Sequence, residues 1–330
     1  MNESNPILVR LWRNNELESL HRGSWALVSN SGDVIDGAGD PDQLIFARSA
    51  TKSIQALPLV ETGALDRFGL GPDSLALALA SHSAEPVHLE VARDGLRRIG
   101  LTEAALQCGP QRPYGAGLSA PATAVQNNCS GKHVGFLAVS QHLGADADRY
   151  LEPDGEVQRL VRTSVAEMTG VGVDEHAVAV DGCGAPTFHL PLKSLALALA
   201  RLTSPEELPH GRADAARRIV AAARLNPVLV GGSVERFCTD LLKATDGRVF
   251  PKVGAEGCYT FGVVDERVGF ACKIDDGTRR AIYPLVVHVL QKHGLISDAE
   301  ATALAGWTEP VRRNWAGDQV GLVEVVIGPG

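Results

Sequence analysis

Ser49 and Lys52 form the only Ser-x-x-Lys in the chain. A serine hydroxyl is a weak nucleophile until a base takes its proton, and a lysine of lowered pKa can take it. Residues three apart share one face of a helix, so this spacing lets Ser49 Oγ and Lys52 Nζ meet. By itself the pattern carries little, since roughly one such match arises by chance in a chain this long. Three further groups follow in order: Ser81-His82-Ser83, Asn127-Asn128-Cys129-Ser130-Gly131-Lys132-His133, and Lys252-Val253-Gly254-Ala255-Glu256-Gly257. A Lys-x-Gly on a strand at the edge of a pocket suits Ser–Lys chemistry. Its glycine lets a substrate approach the strand backbone. Its lysine helps hold a neighbouring lysine neutral and stabilises a developing oxyanion. Lys292-His293-Gly294 repeats the pattern but falls at a helix end.

Strands and helices must position these groups. Ile7–Trp12 and Trp25–Ser29 read as strands, with a turn at Asn30–Asp33 and a return at Val34-Ile35. A helix is predicted from Ser49 to about Thr62, with Gly63 at its C-terminal stop. Further helices are predicted over Leu75–Ala80, Val87–Ile99, Ser130–His142, Val157–Met168, Leu195–Leu202 and Arg212–Ala223, and loops over Arg112–Gly117 and Asp181–Pro186. Cys258–Val264 and Val268–Ile274 read as a second hairpin. Ile282 to Leu290 has helical spacing, interrupted by Pro284, and Val320–Ile327 is a final strand. Strands at both ends with a mainly helical middle, about 65–250, predict one α/β unit over 1–330. Its antiparallel sheet is built from both termini, and helices cover one face.

The 330 residues are 45% hydrophobic and 21% charged, a globular composition, and the net charge of −8 argues against a nucleic-acid surface. Met1–Arg10 lacks the basic start and apolar core of a secretory signal. No run approaches the roughly 18 apolar residues that span a bilayer. Six cysteines make no disulfide framework in a chain of this length. A cytoplasmic protein with reduced thiols is expected.

The stretches Ala47–Glu61, Ser81–Ser83, Asn128–His133, Asp181–Pro186, Lys252–Gly257 and Lys273–Gly277 resemble, in order and over nearly the whole chain, the class 3 (rhizobial-type) L-asparaginases. The Thr-Gly-Gly-Thr and Asp-Gly-Thr-Asp signatures of the threonine-nucleophile asparaginases are absent. The resemblance implies a serine-β-lactamase-like fold, a homodimer, and hydrolysis of L-asparagine to L-aspartate and ammonia. It implies two Ser–Lys pairs, Ser49 with Lys52 and Ser81 with Lys252. It also implies an accessory zinc ion held by Cys129, Lys132 and Cys183. On chemistry alone that ligand set is unusual, because lysine must lose a proton to donate a lone pair. Two buried thiols are an ordinary alternative, and His133 is an adjacent conventional ligand.

Arg48 is a candidate for the substrate α-carboxylate or for a structural ion pair. Asp181 and Glu256 are candidates for the α-ammonium or for turn caps. Asn128 and His82 complete the substrate-binding set, with His82 equally able to be a satisfied buried polar residue. In the expected mechanism neutral Lys52 takes the Ser49 proton and Ser49 attacks the amide carbon, while the coupling of the two Ser–Lys pairs leaves open whether Ser49 or Ser81 attacks first. Backbone N–H groups of Ser49 and of the Gly254-Ala255 strand hold the oxyanion. Ser81 and Lys252 relay protons or tune Lys52. A glutaminase differs by one methylene, worth about 1–3 kcal/mol. A Ser–Lys esterase, a zinc-binding structural dimer and a Cys129–His133 thiol hydrolase are the other readings. A β-lactam-binding relative is disfavoured, because the chain has no Ser-Asp-Asn.

Overall fold

A computed structural model describes residues 5–113, 121–172, 174, 177–308 and 310–327. The strands are β1 Ile7–Arg13, β2 Glu16–Ser29, β3 Val34–Ala38, β4 Leu44–Phe46, β5 Val178–Val180, β6 Pro186–Pro191, β7 Val249–Val253, β8 Cys258–Val263, β9 Val268–Ile274, β10 Val311–Arg313 and β11 Gln319–Val325. The main sheet runs β10-β11-β1-β2-β9-β8-β7, with β3 on β2. Its pairings are antiparallel, so strands from both termini do form one sheet. β2 is the longest strand, because it pairs β1 through Glu16–Arg22 and then β3 and β9 through Gly23–Ser29.

Ser24 to Val28 are buried on both faces of β2, so both faces need a cover. Helix Leu192–Thr203 lies on one face. Glycines make the close approach possible there: a Cβ at Gly269 would stand 2.1 Å from Ala196 O, and one at Gly262 2.5 Å from Leu199 O. On the other face Trp25, Phe270 and Phe261 pack together, and Lys292 of helix Ile282–Lys292 lies over the Trp25 ring. Helices on two faces, not one, are therefore the finding. Gly269→Val is expected to lower stability by about 3 kcal/mol through overpacking, seen as a lower midpoint in denaturant unfolding.

The predicted helices are present as Pro72–Ala78, Pro86–Arg98, Ser130–Leu143, Glu156–Thr169, Leu192–Thr203 and His210–Leu225. Pro284 sits in the first turn of Ile282–Lys292, where its missing N–H costs nothing. The helix expected from Ser49 to Thr62 is instead a 3-10 turn over Arg48–Thr51 followed by α-turns over Lys52–Gln55 and Leu57–Glu61. Pro58 has no N–H with which to continue the ladder. The predicted loop at Arg112–Gly117 runs into residues outside the described set. A second, three-stranded sheet of order β4-β6-β5 was not evident from residue patterns. Among the described residues no helix is long and apolar enough to cross a membrane.

Candidate active site

The small sheet sets the first half of the site. β4 ends at Phe46, and Ala47 N–H donates to Phe188 O of β6 at 3.0 Å, which delivers Arg48 and Ser49 beside the β5–β6 turn. That turn carries Asp181 and Cys183. Arg48 has φ +48°, a left-handed conformation unusual for a side-chain-bearing residue, immediately before Ser49. Ala84, Glu235 and Glu256 are likewise left-handed, each next to or close behind a site residue. Strain of this kind persists where the surrounding structure over-determines it, and it clusters at functional sites.

The second half lies between the end of helix Pro72–Ala78 and edge strand β7. Ser81 is held by its N–H to Val230 O at 3.2 Å, and Arg236 donates to Ser81 O. Ser81 Oγ stands between two buried lysines. Lys52 Nζ lies 3.2 Å from it and Lys252 Nζ 3.0 Å. Lys52 Nζ also donates to Ala80 O at 2.6 Å and Asn128 O at 3.4 Å, three acceptors for the three N–H of an ammonium. Lys252 Nζ has one carbonyl, Val253 O at 2.9 Å, besides the serine. That leaves room for a neutral amine whose lone pair accepts from Ser81 O–H. Burial and the charge of Lys52 lower the pKa of Lys252 to about 7.

Lys52 Nζ therefore reaches Ser81 and not Ser49, although three residues separate it from Ser49. A buried lysine head must find acceptors, and the carbonyls of Ala80 and Asn128 supply them. Ser49 Oγ has no hydrogen bond with any described residue. Two backbone N–H groups near it are also without an acceptor among the described residues, those of Ser49 and Ala255. Gly254 N–H is taken by Cys258 O at 2.9 Å. Ser49, Asn128 and Ala255 line both of two adjoining lobes of a cleft. One lobe adds Ser81, Arg236 and the rings of Phe237, Tyr259 and Tyr283. The other adds Arg48, Asp181, Cys129 and Cys183.

In the second lobe Arg48 Nε donates to Asp181 Oδ1 at 2.6 Å, which also accepts Gly182 N–H at 2.7 Å. Burial opposes ionisation of Asp181, but the Gly182 amide and the Lys132 and Arg48 charges outweigh it and lower its pKa. The Arg48 Nη groups and Asp181 Oδ2 make no hydrogen bond to described residues, so each partner keeps a face for a ligand. Lys132 Nζ donates to Cys183 Sγ at 3.2 Å, and Cys129 Sγ to Asn128 Oδ1 at 3.0 Å. A hydrogen bond from Cys183 is the chief cause that holds the Cys129 thiol well below its ordinary value. The described cysteines are unpaired as disulfides. No three His, Cys, Asp or Glu among the described residues gather as a metal cage. A zinc ion here would take two soft sulfurs and the Lys132 nitrogen. That donor set fits its softness, provided Lys132 gives up a proton: burial favours that loss, but the charge of the Cys129 and Cys183 sulfurs outweighs it and raises the Lys132 pKa.

His82 and Glu256 line neither lobe. His82 Nδ1 accepts Ala84 N–H at 3.1 Å, which leaves Nε2–H to meet Ser130 Oγ at 2.9 Å. The ring stacks on His88, and burial keeps it neutral. It braces the Ser81 turn against helix Ser130–Leu143. Glu256 is exposed in its left-handed turn, because the β7–β8 hairpin must reverse there. His133 Nδ1 meets Tyr150 Oη at 2.7 Å and not Cys129, so no Cys–His dyad forms. Arg236, Tyr283 and the aromatic wall carry no sequence motif, and only chain folding brings them to the serines.

Serine hydroxyls beside buried lysines, in a cleft with open N–H groups, make up the equipment of a hydrolase. The L-asparaginase II family model matches residues 9–325. The chain belongs to that family. None of the curated proteins matches it in sequence. Among solved structures it is similar to Mglu in its native form at 4.3 M NaCl, with 16% identity and TM-score 0.44, covering 83% of this chain and 61% of that one. It is also similar to a putative beta-lactamase from Bacteroides dorei DSM 17855, at 13% identity and TM-score 0.41 over 76% of this chain and 84% of that one. A beta-lactamase from Mycobacterium bovis is similar at 12% identity and TM-score 0.36, over 87% and 95%.

Proposed function

We propose that the protein hydrolyses L-asparagine to L-aspartate and ammonia through a serine ester. The observation that carries this reading is Ser81 Oγ held between Lys52 and Lys252 beside Ser49. The α-carboxylate would meet the open Arg48 Nη groups and the α-ammonium Asp181 Oδ2. The side-chain amide would then lie over Ser49, with its oxygen toward the N–H groups of Ser49 and Ala255. Ser49 attacks, and its proton passes by way of Ser81 to neutral Lys252. The protonated amine returns that proton to the departing ammonia, and water hydrolyses the ester by the same route. Ser81 as first nucleophile is the second reading, favoured by its direct contact with Lys252.

Ammonia release from L-asparagine and L-glutamine tests the proposal. Asparagine turnover is expected, with glutamine about 10–200-fold poorer in kcat/KM, the discrimination that one methylene allows. No ammonia from either amide would sink it. An accessory zinc ion on Cys129, Lys132 and Cys183 is part of the proposal. It would supply positive charge beside the headgroup lobe. Metal analysis is expected to find one zinc per chain, with affinity at least about tenfold weaker in Cys183→Ser. A reducing, cytoplasmic compartment, which the unpaired thiols suit, and a homodimer, which only the family resemblance implies, complete the reading.

A further inference from the structure

We infer that the cleft also accepts secondary amides of the aspartate side chain, N4-substituted asparagines whose nitrogen carries a compact apolar or aromatic group. The inference rests on the proposed use of Arg48 and Asp181 as the headgroup anchor. With the headgroup in that lobe and the amide carbon over Ser49, the departing nitrogen points into the other lobe. Proton chemistry demands the same direction. The departing nitrogen must collect a proton, and Ser81 with its two lysines stands on that side.

That lobe is larger and more aromatic than ammonia needs. It offers about 100 Å³, room for several waters where ammonia needs the space of one. Phe237 and Tyr283 lie 4.6 Å apart, Tyr259 stands 6.4 Å from Tyr283, and Trp307 backs them at 5.0 Å from Tyr283. A fixed wall of rings stacks against a flat or apolar substituent. The step balances as for the primary amide. The Ser49 Oγ–carbon bond forms, the carbon–nitrogen bond breaks, and the serine proton leaves on the amine. Water then cleaves the ester to aspartate.

The test gives the full chain L-asparagine, N4-methyl-L-asparagine and L-aspartic acid β-anilide, and measures the aspartate and amine released. The anilide is expected within about 100-fold of asparagine in kcat/KM. In Tyr283→Ala the anilide-to-asparagine ratio is expected to fall about fivefold, the worth of one aromatic contact. Val253→Phe, which fills the same lobe, is expected to lower the ratio too, and stands in if Tyr283→Ala unfolds. Asparagine turnover with neither substituted amide cleaved overturns the inference and spares the asparaginase reading. An unchanged ratio in the folded variant also overturns it. Anilide cleavage without asparagine turnover upholds it and sinks that reading. No cleavage of any of the three overturns both.

Discussion

Ser49→Ala is expected to lower kcat/KM for L-asparagine by at least about 10³-fold and to abolish the trapped aspartyl ester, with the fold intact. Among the described residues Ser49 is the one hydroxyl that lines both lobes, beside two N–H groups that no described residue uses. Loss of a nucleophile removes the covalent route entirely, and residual rate comes only from binding and the oxyanion donors. Ser81→Ala is expected to cost less, about 10²-fold, the lower end of what a lost proton-transfer partner costs. It should still accumulate the ester, slowly, when the reaction is quenched and the protein weighed by mass spectrometry. The two serines compete for one role, so the pair of variants decides it. An ester found on Ser81 in Ser49→Ala would reverse the assignment.

Lys252 governs the second large effect. Its pKa of about 7 follows from complete burial and the nearby Lys52 charge. A base must be unprotonated, so kcat/KM is expected to rise with pH through about 7 and level off above it. Lys252→Arg, which stays protonated at every accessible pH, should lose the activity and the rising limb together. A pH profile of the wild type flat from 6 to 8 would remove Lys252 from the base role. Stability also rises with pH, over a window that begins where the gain in activity ends. The unfolded lysine titrates near 10.4, so between about pH 7 and pH 10 the unfolded chain binds the extra proton and stability rises with pH. Below that window the penalty of the buried amine is complete. Lys252→Met removes it, at the loss of the bonds to Ser81 and Val253. A net gain of roughly 2 kcal/mol is expected at pH 7, shrinking toward pH 10. A destabilised Lys252→Met would mean that the lysine is placed for the fold and not for chemistry.

Much of the fold was legible in the residues. Apolar periodicity placed the helices at Glu156 and His210 within a few residues, because each buries one face, whereas those at Ser130 and Leu192 are buried nearly all round and were legible from their continuous apolar content. The hairpin of β8 and β9 was equally plain. The sheet β4-β6-β5 was not, because two of its strands have only three residues, too few for a period to be read, and the third has no recognisable partner in the sequence. It is this sheet that carries Arg48 and Ser49 to Asp181 and Cys183.

The sequence by itself determined the reactive groups: two serines, two lysines and two thiols in motifs with a definite order, and a family to which those motifs belong. The tertiary structure decided how they pair. Spacing along one helix pointed Lys52 to Ser49. Burial instead sent its head to the carbonyls of Ala80 and Asn128 and onto Ser81, because a lysine taken out of water must satisfy its N–H groups wherever acceptors stand. Burial together with that neighbouring charge, neither visible in sequence, lowers the pKa of Lys252. The same closure placed Arg236 and the Tyr283 wall against the serines, turned His82 into a brace, and left Glu256 in solvent.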